Sequence, residues 1–90
     1  METCSLTIAA PHGLHIRTAA RIVELVRRSE AKVRLFGRDN QQADGGSLIA
    51  WMILFAERSR SGGVKVEVEG RNRQAVAAGL AEILGERVIA

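Results

Sequence analysis

The chain predicts an α+β fold of two layers, with helices covering one side of a sheet. Three observations carry that expectation. Short segments alternate apolar and polar residues with period two, as half-buried strands do. Between them lie stretches whose apolar residues return every three or four positions, the spacing of a helix with one buried face. The resulting order, β-α-β-β-α-β-α over 90 residues, suits one small domain with one core.

Cys4, Leu6 and Ile8 alternate with Thr3, Ser5 and Thr7, a first strand in which Cys4 reads as a small core residue. Pro11 and Gly13 end the alternation and make a loop. From Ile16 to Arg28 the apolar residues Ala19, Ile22, Val23 and Val26 fall at i, i+3, i+4 and i+7, and Arg17, Arg21, Glu24 and Arg28 hold the opposite stripe. That is an amphipathic helix. Ala31, Val33 and Leu35 give a second strand, the run 37–40 is turn chemistry, and Gln41 to Ala43 can pair back as a weak third strand.

Ser47, after Gly45-Gly46, is placed to cap a short helix running to about Glu57. Periodicity alone fits a buried strand over 48–56 equally; the serine cap and the polar Glu57-Arg58 decide for a helix. Ser59 to Gly63 reads as a flexible connection. Val64, Val66 and Val68 alternate with Lys65, Glu67 and Glu69 in a further strand that Gly70 ends. Asn72 can cap a last helix with Val76, Leu80, Ile83 and Leu84 as its stripe. Gly79 inside it costs about 1 kcal/mol against alanine, which marks a close packing contact. Residues 86–90 are expected to form a loose tail on a single domain spanning 1–90.

Composition narrows the function. The longest apolar run, Leu48 to Ala56, falls short of the roughly 20 residues a membrane helix needs, so no membrane insertion is expected. The first residues lack a signal pattern and Cys4 is the one cysteine, so a soluble cytoplasmic protein is the default. The net charge of +3, mostly arginine, favours acidic or phosphorylated partners. Phe36, Trp51 and Phe55 are the only aromatic residues, and they do not form the paired sheet platform of single-stranded RNA binders. No nucleic-acid partner is expected.

The chemistry concentrates at Gly13-Leu14-His15-Ile16-Arg17-Thr18-Ala19-Ala20. His15 falls at or next to the N-cap of the first helix, where the amides of Ile16, Arg17 and Thr18 have no helical partners and the macrodipole is positive. Arg17 adds a full positive charge and a planar fork of donors. A nucleophilic ring nitrogen beside a ready anion cradle suits reversible phosphorylation of His15. A phosphoryl transfer asks the protein for positioning and charge stabilisation, which the amides and Arg17 can supply. His12, three residues earlier, invites a metal reading with His15, but no Cys, Asp or Glu lies near enough to complete a ligand set. No metal or cofactor is expected, and His12 reads as a loop residue.

Ser47 and the run after it form a second candidate site. A helix on one face of a small sheet leaves side chains outside, and exposed apolar patches are docking surfaces. Leu48, Ile49, Trp51, Met52 and Phe55 are the expected contacts, joined by Arg21, which lies one turn from Arg17 and can steer an acidic partner. Arg21, Arg27 and Arg28 read most simply as the solvated face of the first helix, with steering of an acidic partner as their alternative role. Phosphate on Ser47 would be stabilised by the helix terminus and would put negative charge beside the patch, a route to regulation.

The segment Ala10-Pro11-His12-Gly13-Leu14-His15-Ile16-Arg17-Thr18-Ala19-Ala20 resembles the signature of the histidine-containing phosphocarrier protein HPr family, and the likeness extends over essentially the whole chain. It implies an open-faced β-sandwich, a four-stranded antiparallel sheet covered on one face by three helices. It also implies a phosphohistidine at His15 carried on Nδ1, with Arg17 as its partner and a regulatory serine at Ser47. Enzyme I of the phosphoenolpyruvate-dependent sugar phosphotransferase system would be the donor and a sugar-specific enzyme IIA the acceptor; a serine kinase or regulator is a further candidate partner.

Two departures stand out. The family usually carries proline where this chain has Thr18, and Ala50, Met52 and Ile53 replace positions it often keeps polar or basic. These changes fit a specialised paralogue, or a regulatory module that acts by docking, as well as a general sugar carrier.

Overall fold

In the computed structural model, which describes residues 3–10, 12–37, 41–58 and 63–89, the alternating segments assemble into one sheet. The strands are β1 (Thr3–Ile8), β2 (Lys32–Phe36), β3 (Gln42–Asp44) and β4 (Val64–Glu69). β4 comes last in the chain yet lies inside the sheet, whose order is β1-β4-β2-β3 with every pair antiparallel. Its register runs from Thr3↔Glu69 to Ile8↔Val64 on one side and from Lys32↔Glu69 to Phe36↔Lys65 on the other. Val64, Val66 and Val68 all point to the covered face and are fully buried. β-branched side chains pack well on a pleated surface, and the strand carrying three of them takes a central place.

The opposite face of the sheet is open. There Arg34 approaches Glu69 at 3.4 Å, Lys65 approaches Glu67 at 3.5 Å, and the Lys65 ammonium sits 5.7 Å from the centre of the Phe36 ring. Partly exposed pairs of this kind add little stability but keep the face soluble.

Three helices cover the other face: α1 (Ile16–Arg28), α2 (Leu48–Arg58) and α3 (Arg73–Leu84). The α+β open-faced architecture read from the sequence is the one observed. α1 buries Ala19, Ile22, Val23 and Val26, the stripe its periodicity assigned. Residues 48–58 are helical because Ser47 captures the first turn: its hydroxyl accepts from the Ala50 amide at 3.2 Å and its carbonyl from Trp51 at 3.3 Å. Gly79 faces α1, where a Cβ would lie 2.8 Å from Leu25 Cδ2, so the glycine lets α1 and α3 approach.

Three expectations need correction. Asn72 stands at the N-cap of α3, but its side chain makes no capping bond; only its carbonyl serves, accepting from Val76 at 3.0 Å. Cys4 is half-buried rather than part of the sealed core. The expected loose tail is tied down as far as Ile89: a short 3-10 turn (Gly85–Arg87) leads into an antiparallel bridge between Val88 and Ile8. Ile89 donates to the Thr7 carbonyl at 2.8 Å and Ala9 to that of Arg87 at 2.7 Å, so this segment blunts the free edge of β1. The turn at 38–40, Pro11 and residues 59–62 of the connection lie outside the described residues.

Candidate functional site

β1 runs into a loop in which Ala10 and Leu14 are buried and so act as anchors. Between them the chain reverses at Gly13, with φ of 75° and its amide donating to the Ala10 carbonyl at 2.8 Å. A side chain at that φ is strained, and glycine is not. With Leu14 held in the core, the next residue is delivered to the surface at the start of α1.

That residue is His15. It occupies the N-cap with extended backbone, φ −67° and ψ 143°, and its side chain turns back over the first turn. Nδ1 accepts a hydrogen bond from the Arg17 amide at 3.1 Å. In the neutral ring this leaves the lone pair on Nδ1 and the proton on Nε2. The His15 carbonyl accepts from Ala19 at 3.0 Å, closing the first helical turn. The three amides ahead of Ala19, those of Ile16, Arg17 and Thr18, have no partner in the helix ladder.

Both His15 and Arg17 are exposed, and no acidic residue stands in the first turn to neutralise the helix end. Arg21, one turn along, is exposed as well, and neither Arg17 nor Arg21 makes an ion pair among the described residues. The arrangement is an accessible nucleophilic nitrogen against amide donors, with two positive charges on the same helix. It can accept a tetrahedral oxyanion on the nitrogen itself.

The remaining candidates divide. Trp51 and Phe55, expected as docking residues, are fully inside, at 0% and 1% exposure. Their rings stack with centroids 5.7 Å apart, and the indole N–H donates to the buried Gly45 carbonyl at 2.8 Å. The reason is steric and hydrophobic: α2 lies on the sheet through Trp51, Leu54 and Phe55, at i, i+3 and i+4, and the two largest apolar surfaces gain most from that face. Ile49 is exposed at 68% and Leu48 and Met52 are half-buried. Two further large apolar side chains near this face turn outward, Ile53 at 51% and Ile16 at 57%. The helical phase of 49, 53 and 56 against 51, 54 and 55 was the available signal, hidden because the whole run is apolar.

Ile16 and Ala20 lie one turn apart on the exposed side of α1. Ala20 then shares a groove of about 430 Å³ between α1 and α2 with Val23, Glu24, Arg27 and Leu48. An apolar strip thus leads from beside His15 towards α2. Arg27 is not simply solvated, since its Nε donates to the Gly46 carbonyl at 2.9 Å and ties α1 to the turn before Ser47. Arg28 pairs with Glu24 at 2.9 Å. His12 is exposed in the loop, and no group of three or more His, Cys, Asp or Glu side chains able to hold a metal gathers among the described residues. Nor is any described helix long and apolar enough to cross a membrane.

A family model described as the PTS HPr component phosphorylation site matches residues 2–86. Among solved structures, a phosphocarrier protein HPr from Bacillus anthracis is similar at 19% identity and TM-score 0.68, covering 92% of this chain and 95% of its own. An HPr from Thermoanaerobacter tengcongensis is similar at 22% identity and TM-score 0.68, with 97% and 94% covered. At these identities the likeness speaks to the fold. Crh, the catabolite repression containing protein of Bacillus subtilis, crystallised as a swapped dimer, is similar at 27% identity and TM-score 0.65, with 87% and 86% covered. A search of curated protein sequences gave no match.

Proposed function

The chain belongs to the HPr family of phosphotransferase-system components, and from that premise we propose that it carries phosphoryl groups on His15 from enzyme I to an enzyme IIA-type acceptor in the cytoplasm. The observation that carries the proposal is the His15 ring at the N-cap with Nδ1 on the Arg17 amide. On phosphorylation the Nδ1 lone pair forms the N–P bond while the bond from phosphorus to the donor breaks. The Arg17 amide, released from Nδ1, takes up a phosphoryl oxygen, and the ring proton stays on Nε2. Transfer to the acceptor runs the same exchange in the other direction. The protein acts as a carrier that returns to its starting state, and the chemistry requires no cofactor. The Arg17 and Arg21 charges steer acidic donors and acceptors, while the strip of Ile16, Leu48, Ile49 and Met52 docks them.

The test is incubation with enzyme I and phosphoenolpyruvate followed by intact-mass spectrometry. One acid-labile phosphoryl per chain is expected; no gain, or a gain that survives acid, overturns the proposal. For the docking role, Ile49→Asp should lower kcat/KM for phosphoryl transfer about tenfold or more, since a charge placed in an interface core is left unpaired. Its melting temperature should stay within about 2 °C of wild type, because an exposed site carries no packing. Unchanged transfer kinetics would remove Ile49 from the interface.

The likeness to Crh favours one second reading, a regulatory module in which Ser47 is the modified residue and docking is the output. It predicts partner binding indifferent to the state of His15 and altered by phosphate at Ser47. Binding that follows His15 phosphorylation instead excludes it.

A further inference from the structure

Resting on the phosphocarrier reading, we propose that the Thr18 backbone amide is a second hydrogen-bond donor to the phosphoryl group, one that lengthens the life of the phosphohistidine and holds the transfer equilibrium towards this chain. α1 starts at Ile16, and Ala19 is the first residue whose amide has a backbone carbonyl as partner, that of His15. Thr18 is therefore the last of three amides facing out of the helix end. His15 Nδ1 already meets the middle one, that of Arg17, at 3.1 Å.

An N-cap side chain reaches the amides of the second and third helical residues. A phosphoryl group on Nδ1 extends from the atom that now touches the second, which places its oxygens within reach of the third. The stoichiometry points the same way. Nδ1 offers one lone pair and occupies one amide, whereas a phosphoryl group offers three anionic oxygens and needs more than one donor. No first-turn acid competes for these amides.

Residue type decides whether the donor exists. Proline fits the φ of a first helical turn but has no N–H, so at position 18 it would leave the backbone path in place and delete the bond. Threonine keeps it. A charge-assisted bond made only to the phosphorylated form stabilises that form selectively, which slows hydrolysis and makes donation to an acceptor less favourable. This chain then works with a lower phosphoryl-transfer potential than a proline-bearing counterpart, and suits an acceptor that binds the phosphoryl group tightly.

The experiment compares wild type, Thr18→Pro and Thr18→Val after phosphorylation by enzyme I and phosphoenolpyruvate. Thr18→Pro should hydrolyse about tenfold faster and shift the equilibrium with enzyme I towards the donor by a similar factor. Its thermal stability should not fall, because proline at a compatible position restricts the unfolded chain. Thr18→Val, which keeps the amide and loses the hydroxyl, should behave as wild type. In wild type alone, the Thr18 amide proton resonance should move downfield on phosphorylation, a readout that does not depend on any variant folding. An unmoved resonance, or equal lifetimes for wild type and Thr18→Pro, overturns the inference while leaving the carrier intact. Thr18→Val matching Thr18→Pro overturns the amide assignment in favour of the hydroxyl. Failure of wild type to take any acid-labile phosphoryl removes the carrier reading itself.

Discussion

Replacing His15 with asparagine is expected to abolish acid-labile phosphorylation outright while the fold persists. Asparagine is among the best N-cap residues, so its side-chain oxygen can accept from the Arg17 amide as Nδ1 does now. What it lacks is a nucleophilic ring nitrogen. The position is exposed, so no cavity opens and the cost should stay within about 0.5 kcal/mol. His15→Ala removes cap and nucleophile together, and should add a loss of about 1 kcal/mol in urea unfolding to the same chemical silence. The pair of variants separates the structural work of the imidazole from its chemical work. Mass spectrometry after treatment with enzyme I and phosphoenolpyruvate reads the first effect and denaturant titration the second. An acid-labile phosphoryl that persists in His15→Asn would move the nucleophile elsewhere, with His12 as the first residue to test.

Trp51→Ala is expected to cost about 3–5 kcal/mol, the range for truncating a large buried aromatic residue. The loss has three sources on this site: the transfer energy of the indole, the stacked face of Phe55 left uncovered, and the buried Gly45 carbonyl left without its donor. Gly45 is held against Val33, with its amide donating to the Val33 carbonyl at 2.8 Å and no room for a Cβ beside the Val33 side chain. A domain of this size commands roughly 5–13 kcal/mol in all, so the variant should be mostly unfolded on mild heating or in low urea. Circular dichroism through a urea titration gives the number. A loss below about 1 kcal/mol, accompanied by weaker partner binding, would return Trp51 to the surface role that the apolar run first suggested. The contrast with Ile49→Asp is the sharper use of the prediction. Two residues two positions apart on α2 should fail in opposite ways, one through stability and the other through transfer kinetics.

How far these roles can be read from residue order follows from how far apart the determining groups are. The turn at Gly13, the cap at His15 and the stripe Ala19, Ile22, Val23 and Val26 involve groups within a turn or two of one another. Each constraint acts whatever the rest of the chain does, and each is legible. The same holds for Ser47 capping α2. Gly79 was legible as a packing contact because a glycine within a helix costs stability unless something presses on it, though its partner Leu25 was not nameable.

Beyond that range the signal fades. The run from Leu48 to Ala56 is apolar all round, so period alone could not phase it, and Trp51 and Phe55 were assigned to the wrong side. The contact of Arg27 with the Gly46 carbonyl spans residues far apart in the chain and leaves no mark in either segment. The residues after Gly85 have little periodicity, yet β1 offered an unpaired edge that Val88 and Ile89 could satisfy. That edge existed only because β4 had paired with the other side of β1.

The amino-acid order by itself determined the elements, their caps and the placing of an imidazole at a helix start, because hydrogen bonds and periodicity act between near neighbours along the chain. Tertiary structure decided that β4 lies inside the sheet, which face of α2 turns outward, and that the C-terminal segment closes β1. Those choices depend on which apolar faces and unpaired edges meet once the whole sheet has formed, and no local stretch contains that information.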